Sequence, residues 1–378
     1  MAGFKAFAWL TLIATTGVHA AFPGEQWTRA ERPAWNPAAL GALFDYAATQ
    51  RSTGVVIVQD GELIAERYWP PGTEDRYRRM LRSTTPDGRT LEDVASVQKS
   101  IVSLLVGMAQ SRGLLNPDQA VSVHLGDGWS SAATDAERAI TVRHLLTMTS
   151  GLTPTLTSEA PAGGKWSYNT RAYSKLVNVL EAATGEDIDT LTRRWLTGPL
   201  QMNESSWQPR PWVTENIDAN VVGFVTSARD LARFGVLMLN NASWAGTDLL
   251  ENPGYYAASI SPSQSLNPAY CYLWWLNGRP LRRAGERTHD SMAPAAPGDV
   301  YAAQGALGRK LYVAPSLNLV VTRLGDAPEQ DFNQELWRRL MATMPEPAIC
   351  MECGTSIADR PSDAQATPQN FITWREHI

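Results

Sequence analysis

The pentapeptide Ser96-Val97-Gln98-Lys99-Ser100 opens an apolar run from Ile101 to Met108 and sets a nucleophile beside a base. Residues three apart on an α-helix lie about 4.5 Å apart along its axis on nearly one face, so the Ser96 hydroxyl and the Lys99 amine can meet in a cleft. A serine hydroxyl is a weak nucleophile at neutral pH and becomes useful when an adjacent base takes its proton. The chain has only five lysines, at positions 5, 99, 165, 175 and 310, among 33 basic residues. Guanidinium keeps its charge, whereas a buried lysine can lose its proton. A lysine at position 99 of an arginine-preferring chain therefore fits a general base, and the pair points to acyl transfer through a serine ester.

Other chemistries find less support. Of five histidines, His19 falls in a leader segment, His124 precedes a loop, His144 lies inside a helical segment, His289 sits in a loop rich in Ala and Pro, and His377 is at the tail. No Gly-x-Ser-x-Gly elbow accompanies them. No His-Glu-x-x-His segment or comparable ligand cluster occurs, so no metal and no cofactor is expected. Cys350-Met351-Glu352-Cys353 has redox or zinc-knuckle spacing without a second pair, which suggests a tail disulfide or inert thiols. Cys271, inside the aromatic run from Tyr270 to Trp275, reads as packed.

The elements that must position this pair can be sketched from pattern. Pro37 to Gln50 has helical character, and two β-branched runs, Gly54 to Gln59 and Glu62 to Tyr68, flank Asp60-Gly61 as a β-hairpin. Lys310 to Val313 and Leu319 to Arg323 form another strand pair around Pro315 to Asn318, followed by a helix over Gln330 to Met344. Between these ends the pattern is mostly helical. Ile101, Leu104, Leu105 and Met108 stripe the first helix, Val142, Leu145 and Leu146 mark a second, and Tyr173 to Thr184 and Ser227 to Asn240 supply two more. A β-rich unit made from both chain ends with a helical insertion is the simplest architecture, with the site in the cleft between them.

Met1 to Ala20 reads as a secretory signal, with Lys5 as basic flank, an apolar stretch from Ala6 to Ala14, and Val18-His19-Ala20 before a cut at Ala21. A periplasmic or secreted protein is expected, without stable membrane insertion after signal cleavage, since no later segment has about 18 consecutive apolar residues. The net charge of −5 comes without a basic stripe or charge block, which argues against nucleic-acid partners. The sequence is silent on oligomeric state.

Four blocks in order resemble the serine β-lactamase-like hydrolases and penicillin-binding proteins, over roughly residues 35 to 345. Ala95 to Ser100 is similar to that family's first motif, and His144-Leu145-Leu146-Thr147-Met148-Thr149-Ser150-Gly151-Leu152 to the helix and turn of its esterase-type members. Gly164-Lys165-Trp166-Ser167-Tyr168-Asn169-Thr170 resembles the second motif, whose tyrosine faces the serine. Ala303-Gln304-Gly305-Ala306-Leu307-Gly308, followed by Tyr312 to Pro315, stands in place of the third. The resemblance implies an α+β, β-lactamase/transpeptidase-like fold, in which an antiparallel sheet with flanking helices packs on an all-helical insertion domain. The implied division is a signal peptide at 1–20, sheet-domain parts at 21–95 and 291–345, a mainly helical domain at 96–290, and a tail at 346–378.

The departures from the family pattern are informative. Thr170 stands where asparagine is usual, and Gln304 replaces the basic residue of the third motif, as in esterases and hydrolases of 6-aminohexanoate oligomers. By resemblance Ser96, Lys99 and Tyr168 are catalytic, with a Tyr168 phenol whose proton affinity a nearby ammonium can lower. The backbone N–H groups of Ser96 and Ala306 would form the oxyanion hole, and Thr170, Gln304, Gly305 and Trp166 would meet substrate. Trp274, Trp275 and Tyr301 are further candidates for an apolar acyl pocket. The expected substrate is a small ester or amide. β-Lactamase or D-alanyl-D-alanine peptidase activity, or a slowly deacylating sensor module, are the alternatives.

Overall fold

Asp60 and Gly61 both adopt positive φ, 55° and 78°, the geometry that a two-residue Asp-Gly turn needs. They fold β1 (Ser52–Gln59) back on β2 (Glu62–Tyr68), with Gln59 opposite Glu62. The coordinates are a computed structural model that describes residues 22–24, 26–30, 34–213, 221–281 and 291–345. The segment expected to be a signal, the expected tail, His289, Cys350 and Cys353 lie outside the described residues. Ten further strands follow in the chain: β3 (Leu81–Thr84), β4 (Thr90–Asp93), β5 (Ser206–Pro209), β6 (Val222–Thr226), β7 (Ser243–Trp244), β8 (Thr247–Asp248), β9 (Trp275–Leu276), β10 (Tyr301–Gly305), β11 (Arg309–Ala314) and β12 (Leu319–Gly325).

The main sheet is antiparallel in the order β2-β1-β12-β11-β10-β9, so the first hairpin pairs with the last strands of the described chain. Side chains alternate across it because strand periodicity is two. Val55 and Ile57 pack with Leu43 and Phe44 of helix Pro37–Thr49 and with Leu336 and Trp337 of helix Phe332–Thr343. Val56 and Val58 face the larger core around helix Gln98–Ser111. That helix is buried nearly all round, from Ile101 and Val102 to Val106 and Met108, rather than along one stripe. A helix buried on nearly all sides belongs in the middle of a core, and its polar members Gln98, Lys99, Ser100 and Ser103 are buried with it. Each of its buried aliphatic side chains contributes about 1.5–3 kcal/mol, which fixes the helix start to within its packing tolerance. Gly107 lets the Tyr255 ring close on it, since a Cβ there would lie 2.5 Å from that ring.

The chain through Met344 makes one compact unit. Within residues 96–290 the helices are accompanied by β5 and β6, which join β3 and β4 in a second sheet ordered β3-β4-β6-β5. These strands are four or five residues long and lack a sustained alternation, so pattern alone passes over them. Their role is positional: β4 ends at Asp93, three residues before Ser96. No helix among the described residues is long and apolar enough to cross a membrane.

Candidate active site

Ser96 sits in a short 3₁₀ turn, Ala95–Val97, that runs directly into helix Gln98–Ser111. Ala95 holds a positive φ of 50°, a region that costs a non-glycine residue of order 1 kcal/mol and persists only where surroundings enforce it. Asp93 Oδ1 enforces it by accepting from the Ala95 N–H at 2.9 Å. The turn leaves Ser96 partly exposed while Lys99, one helical turn on, is buried with 1% of its surface accessible. Lys99 Nζ and Ser96 Oγ are 3.0 Å apart.

Burial, with a smaller contribution from the positive Arg210, pushes the Lys99 amine down from near 10.5 to about 7. The faces of Tyr168 and Tyr173 lie 5.1 and 4.6 Å from Nζ and offset only part of that penalty. Tyr168 shares a hydrogen bond with Ser96, yet burial pushes its phenol up to about 12. The expected lowering by an adjacent ammonium is thus corrected, because desolvation disfavours the phenolate more than its neighbours favour it. At neutral pH the pair is an amine close to its midpoint and a phenol that keeps its proton.

The second block is built by capping. Asn169 accepts from Ala172 N through its side-chain oxygen, starting helix Thr170–Thr184, and donates through Nδ2 to the carbonyls of Leu152 and Thr153. These bonds account for asparagine at 169 and leave Thr170, partly buried, as the first helical residue. Trp166 and Tyr168 enter an aromatic wall. Tyr168 stacks on Trp275 at 5.9 Å, Tyr270 meets both edge-on, and Trp166 meets Tyr270 edge-on at 5.6 Å. Trp274 and Tyr301 instead pack against each other and Phe234 in the core, so they do not line a cleft.

The third block meets the Ser96 turn through backbone. A Cβ on Gly305 would fall 2.3 Å from the Val94 carbonyl oxygen and 3.2 Å from Val97 Cγ2, so the end of β10 presses on the turn that carries Ser96. Ala306 follows directly, its carbonyl held by Arg309 at 3.2 Å. Tyr301 and Ala303 face the core of helix Gln98–Ser111, whereas Ala302 faces the opposite side. By alternation Gln304 shares the Ala302 side, where its amide donates to Met292 Sδ and its carbonyl accepts from Lys310. The structure thus brings Ser96, Lys99, Tyr168 and Gly305 together, sets Trp166 beside them, and turns the Gln304 side chain away. His144 is occupied in a capping box with Thr141.

Sequence reasoning missed three participants. Tyr173 flanks Lys99, Tyr270 completes the aromatic wall, and Arg210 supplies the nearby positive charge. Only the helical spacing of Tyr173 behind Asn169 was available as a signal.

Known structures share this arrangement of elements. An inferred 6-aminohexanoate-dimer hydrolase from Bacillus anthracis superposes with a TM-score of 0.62 at 14% identity, covering 85% of this chain and 89% of that one. EstCE1, a hydrolase with promiscuous acyltransferase activity, gives 0.58 at 15% identity over 82% of this chain and 98% of its own. A penicillin-binding protein from Bacillus halodurans gives 0.58 at 15% identity, covering 80% and 98%. At these identities the likeness is one of fold, the β-lactamase/transpeptidase-like fold. The family model described as Beta-lactamase matches residues 40–343, and the chain accordingly belongs to the beta-lactamase family.

Proposed function

We propose that this chain is a serine hydrolase that cleaves carboxylic esters or amides through an acyl-enzyme on Ser96. The observation that carries the reading is the 3.0 Å approach of the Ser96 hydroxyl to a buried Lys99 amine held near neutrality. A neutral amine accepts the Ser96 proton as Oγ bonds to the substrate carbonyl carbon. Tyr168, which hydrogen-bonds Ser96 and is protonated at neutral pH, is suited to give its proton to the leaving oxygen or nitrogen as the old bond breaks and to take in return the proton that Lys99 accepted from Ser96. The Ser96 and Ala306 N–H groups are the candidate donors to the carbonyl oxygen as it gains charge, and losing one such donor typically costs about 3–4 kcal/mol of transition-state stabilisation. Water then attacks the ester by the reverse proton path, releases the acid and restores the serine. Trp166, Tyr270 and Trp275 favour apolar or aryl groups beside Tyr168.

Labelling with a fluorophosphonate followed by peptide mapping tests the reading. The expected result is a single adduct on Ser96, absent from Ser96→Ala, together with steady hydrolysis of an aryl ester. A burst of acylation without turnover would identify a slowly deacylating module instead, and an unlabelled Ser96 would reject the serine mechanism.

A further inference from the structure

Among the described residues, Arg210 is the charged group whose field lowers the proton affinity of Lys99, second to burial. Its guanidinium is buried and grips Asp93 with two bonds, Nε to Oδ2 at 2.6 Å and Nη2 to Oδ1 at 2.7 Å. The same Nη2 donates at 2.8 Å to Oε1 of Gln98, the residue between Ser96 and Lys99 in the motif. Gln98 Oε1 also accepts from Phe224 N on β6, at 3.2 Å. Asp93 in turn holds the positive-φ Ala95. One cation therefore joins the end of β5, the end of β4, strand β6 and the start of the nucleophile helix. β6 is carved to admit it: a Cβ on Gly223 would lie 2.1 Å from Asp93 Oδ2 and 2.6 Å from Arg210 Nε.

We propose that Arg210 is a positioning residue for the acylation step, locking the turn that presents Ser96 and fixing a positive charge on Gln98, the residue before Lys99. The inference rests on the serine mechanism proposed above. Other ionisable groups on the elements packed around this turn are already engaged. Glu92 of β4 pairs with Arg309 of β11, and Arg82 of β3 reaches Asp93 at 3.5 Å. Lys310 bonds Gln304, and the Tyr168, Tyr173 and Tyr255 phenols stay protonated because burial raises each of them. Arg210, though paired with Asp93, is the cation that sits over Gln98. A planar fork fits this double role, since it grips a carboxylate with two parallel bonds and never loses its charge.

The test is the pH dependence of ester hydrolysis, with active sites counted by fluorophosphonate titration so that only folded enzyme is compared. Arg210→Gln removes the cation and leaves Asp93, so the acid limb of kcat/KM should move up by about one unit. Arg210→Lys keeps the charge and loses the fork, so the limb should stay in place while the plateau falls about tenfold. Gln98→Glu retains the acceptor towards Arg210 and Phe224 but adds a negative charge, and it should also raise the limb. It serves as the independent reading if Arg210→Gln does not fold. Arg210→Gln with fewer titratable sites or a lower plateau but an unmoved limb would reduce Arg210 to a fold-holding residue and overturn the inference. Failure of the parent protein to label at Ser96 would overturn the serine mechanism and this inference together. Labelling at Ser96 with an unmoved limb in Arg210→Gln overturns this inference alone.

Discussion

Lys310 donates a 2.5 Å hydrogen bond to the side-chain carbonyl of Gln304, its partner directly across the β10–β11 pair. Alternation along β11 sets Lys310 on the Tyr312 side of the sheet, opposite the core that holds helix Gln98–Ser111. The third block thus has a cation for a neighbour, but one bound on the far face. Arg309 is no substitute, being fully buried against Glu92 at 2.7 Å. Substrates with a carboxylate beside the scissile bond therefore gain no charge-assisted contact from this strand. Such a contact is worth about 1.5–3 kcal/mol, and its loss should cost them about ten- to a hundredfold in kcat/KM. Aryl or short-chain esters should outpace a chromogenic cephalosporin on the same purified protein. Efficient cephalosporin turnover with negligible ester cleavage would reverse the preference.

Activity should rise with pH. Burial first, and Arg210 second, hold the Lys99 amine at about 7, and only its neutral form accepts the Ser96 proton. The acid limb of kcat/KM should therefore centre near 7 and belong to Lys99 and Tyr168 as a coupled unit. Because the Tyr168 phenol stands at about 12, its ionisation should impose no alkaline fall below about pH 10. A profile flat from pH 5 to 8, with chemistry rate-limiting, would remove Lys99 as the base.

The same burial has a cost in stability. An unfolded lysine holds its proton until about 10.5, whereas the folded one releases it near 7, so between these values the unfolded chain binds more protons. Stability from this group is lowest below 7 and recovers as pH rises towards 10.5. Lys99→Met should abolish turnover and, at pH 6, add on the order of 4 kcal/mol, read as a higher Tm. The gain should shrink at pH 10. An equal or lower Tm at pH 6 would show that the amine is not desolvated.

Tyr168→Phe keeps the stack on Trp275 and removes the hydrogen bond to Ser96. The loss should appear in kcat, about a hundredfold, with KM little changed, since general acid help is worth roughly that much. Steady-state kinetics on an aryl ester decide it. A rise in KM at unchanged kcat would recast Tyr168 as part of the aromatic wall.

Gly305→Ala sets a methyl 2.3 Å from the Val94 carbonyl oxygen, and a backbone atom cannot swing aside. Either β10 or the Ser96 turn must shift, with an overpacking cost of about 1–3 kcal/mol and a kcat loss of at least about tenfold. Denaturant melts and kinetics on one preparation read both. Wild-type values in both would show that the strand does not press on the turn.

What the sequence revealed and what it hid divide by range. The Asp60-Gly61 hairpin, the Ser96–Lys99 spacing and the helix after Ser227 are local patterns, and local chemistry dictates them. Asp93 and Arg210 lie 117 residues apart, and a single ion pair leaves no periodic trace in a sequence. Gln304, expected at the substrate by resemblance, points to the other side because of its register in β10, where a shift of one reverses every side chain. The Tyr168 phenol was misjudged because its proton affinity follows from burial that only packing reveals.

Strand β1 lies between β2 and β12, and its Val56 pairs with Thr322. The sheet that backs the nucleophile helix is therefore unfinished until the last strand of the described chain is made. Closing so long a loop is entropically slow, and topologies rich in distant contacts fold slowly. Helix Gln98–Ser111, synthesised early and rich in apolar side chains from Ile101 to Met108, must wait for that closure with its surface uncovered. Truncations that remove β12 should therefore leave an aggregating polypeptide instead of a smaller working unit.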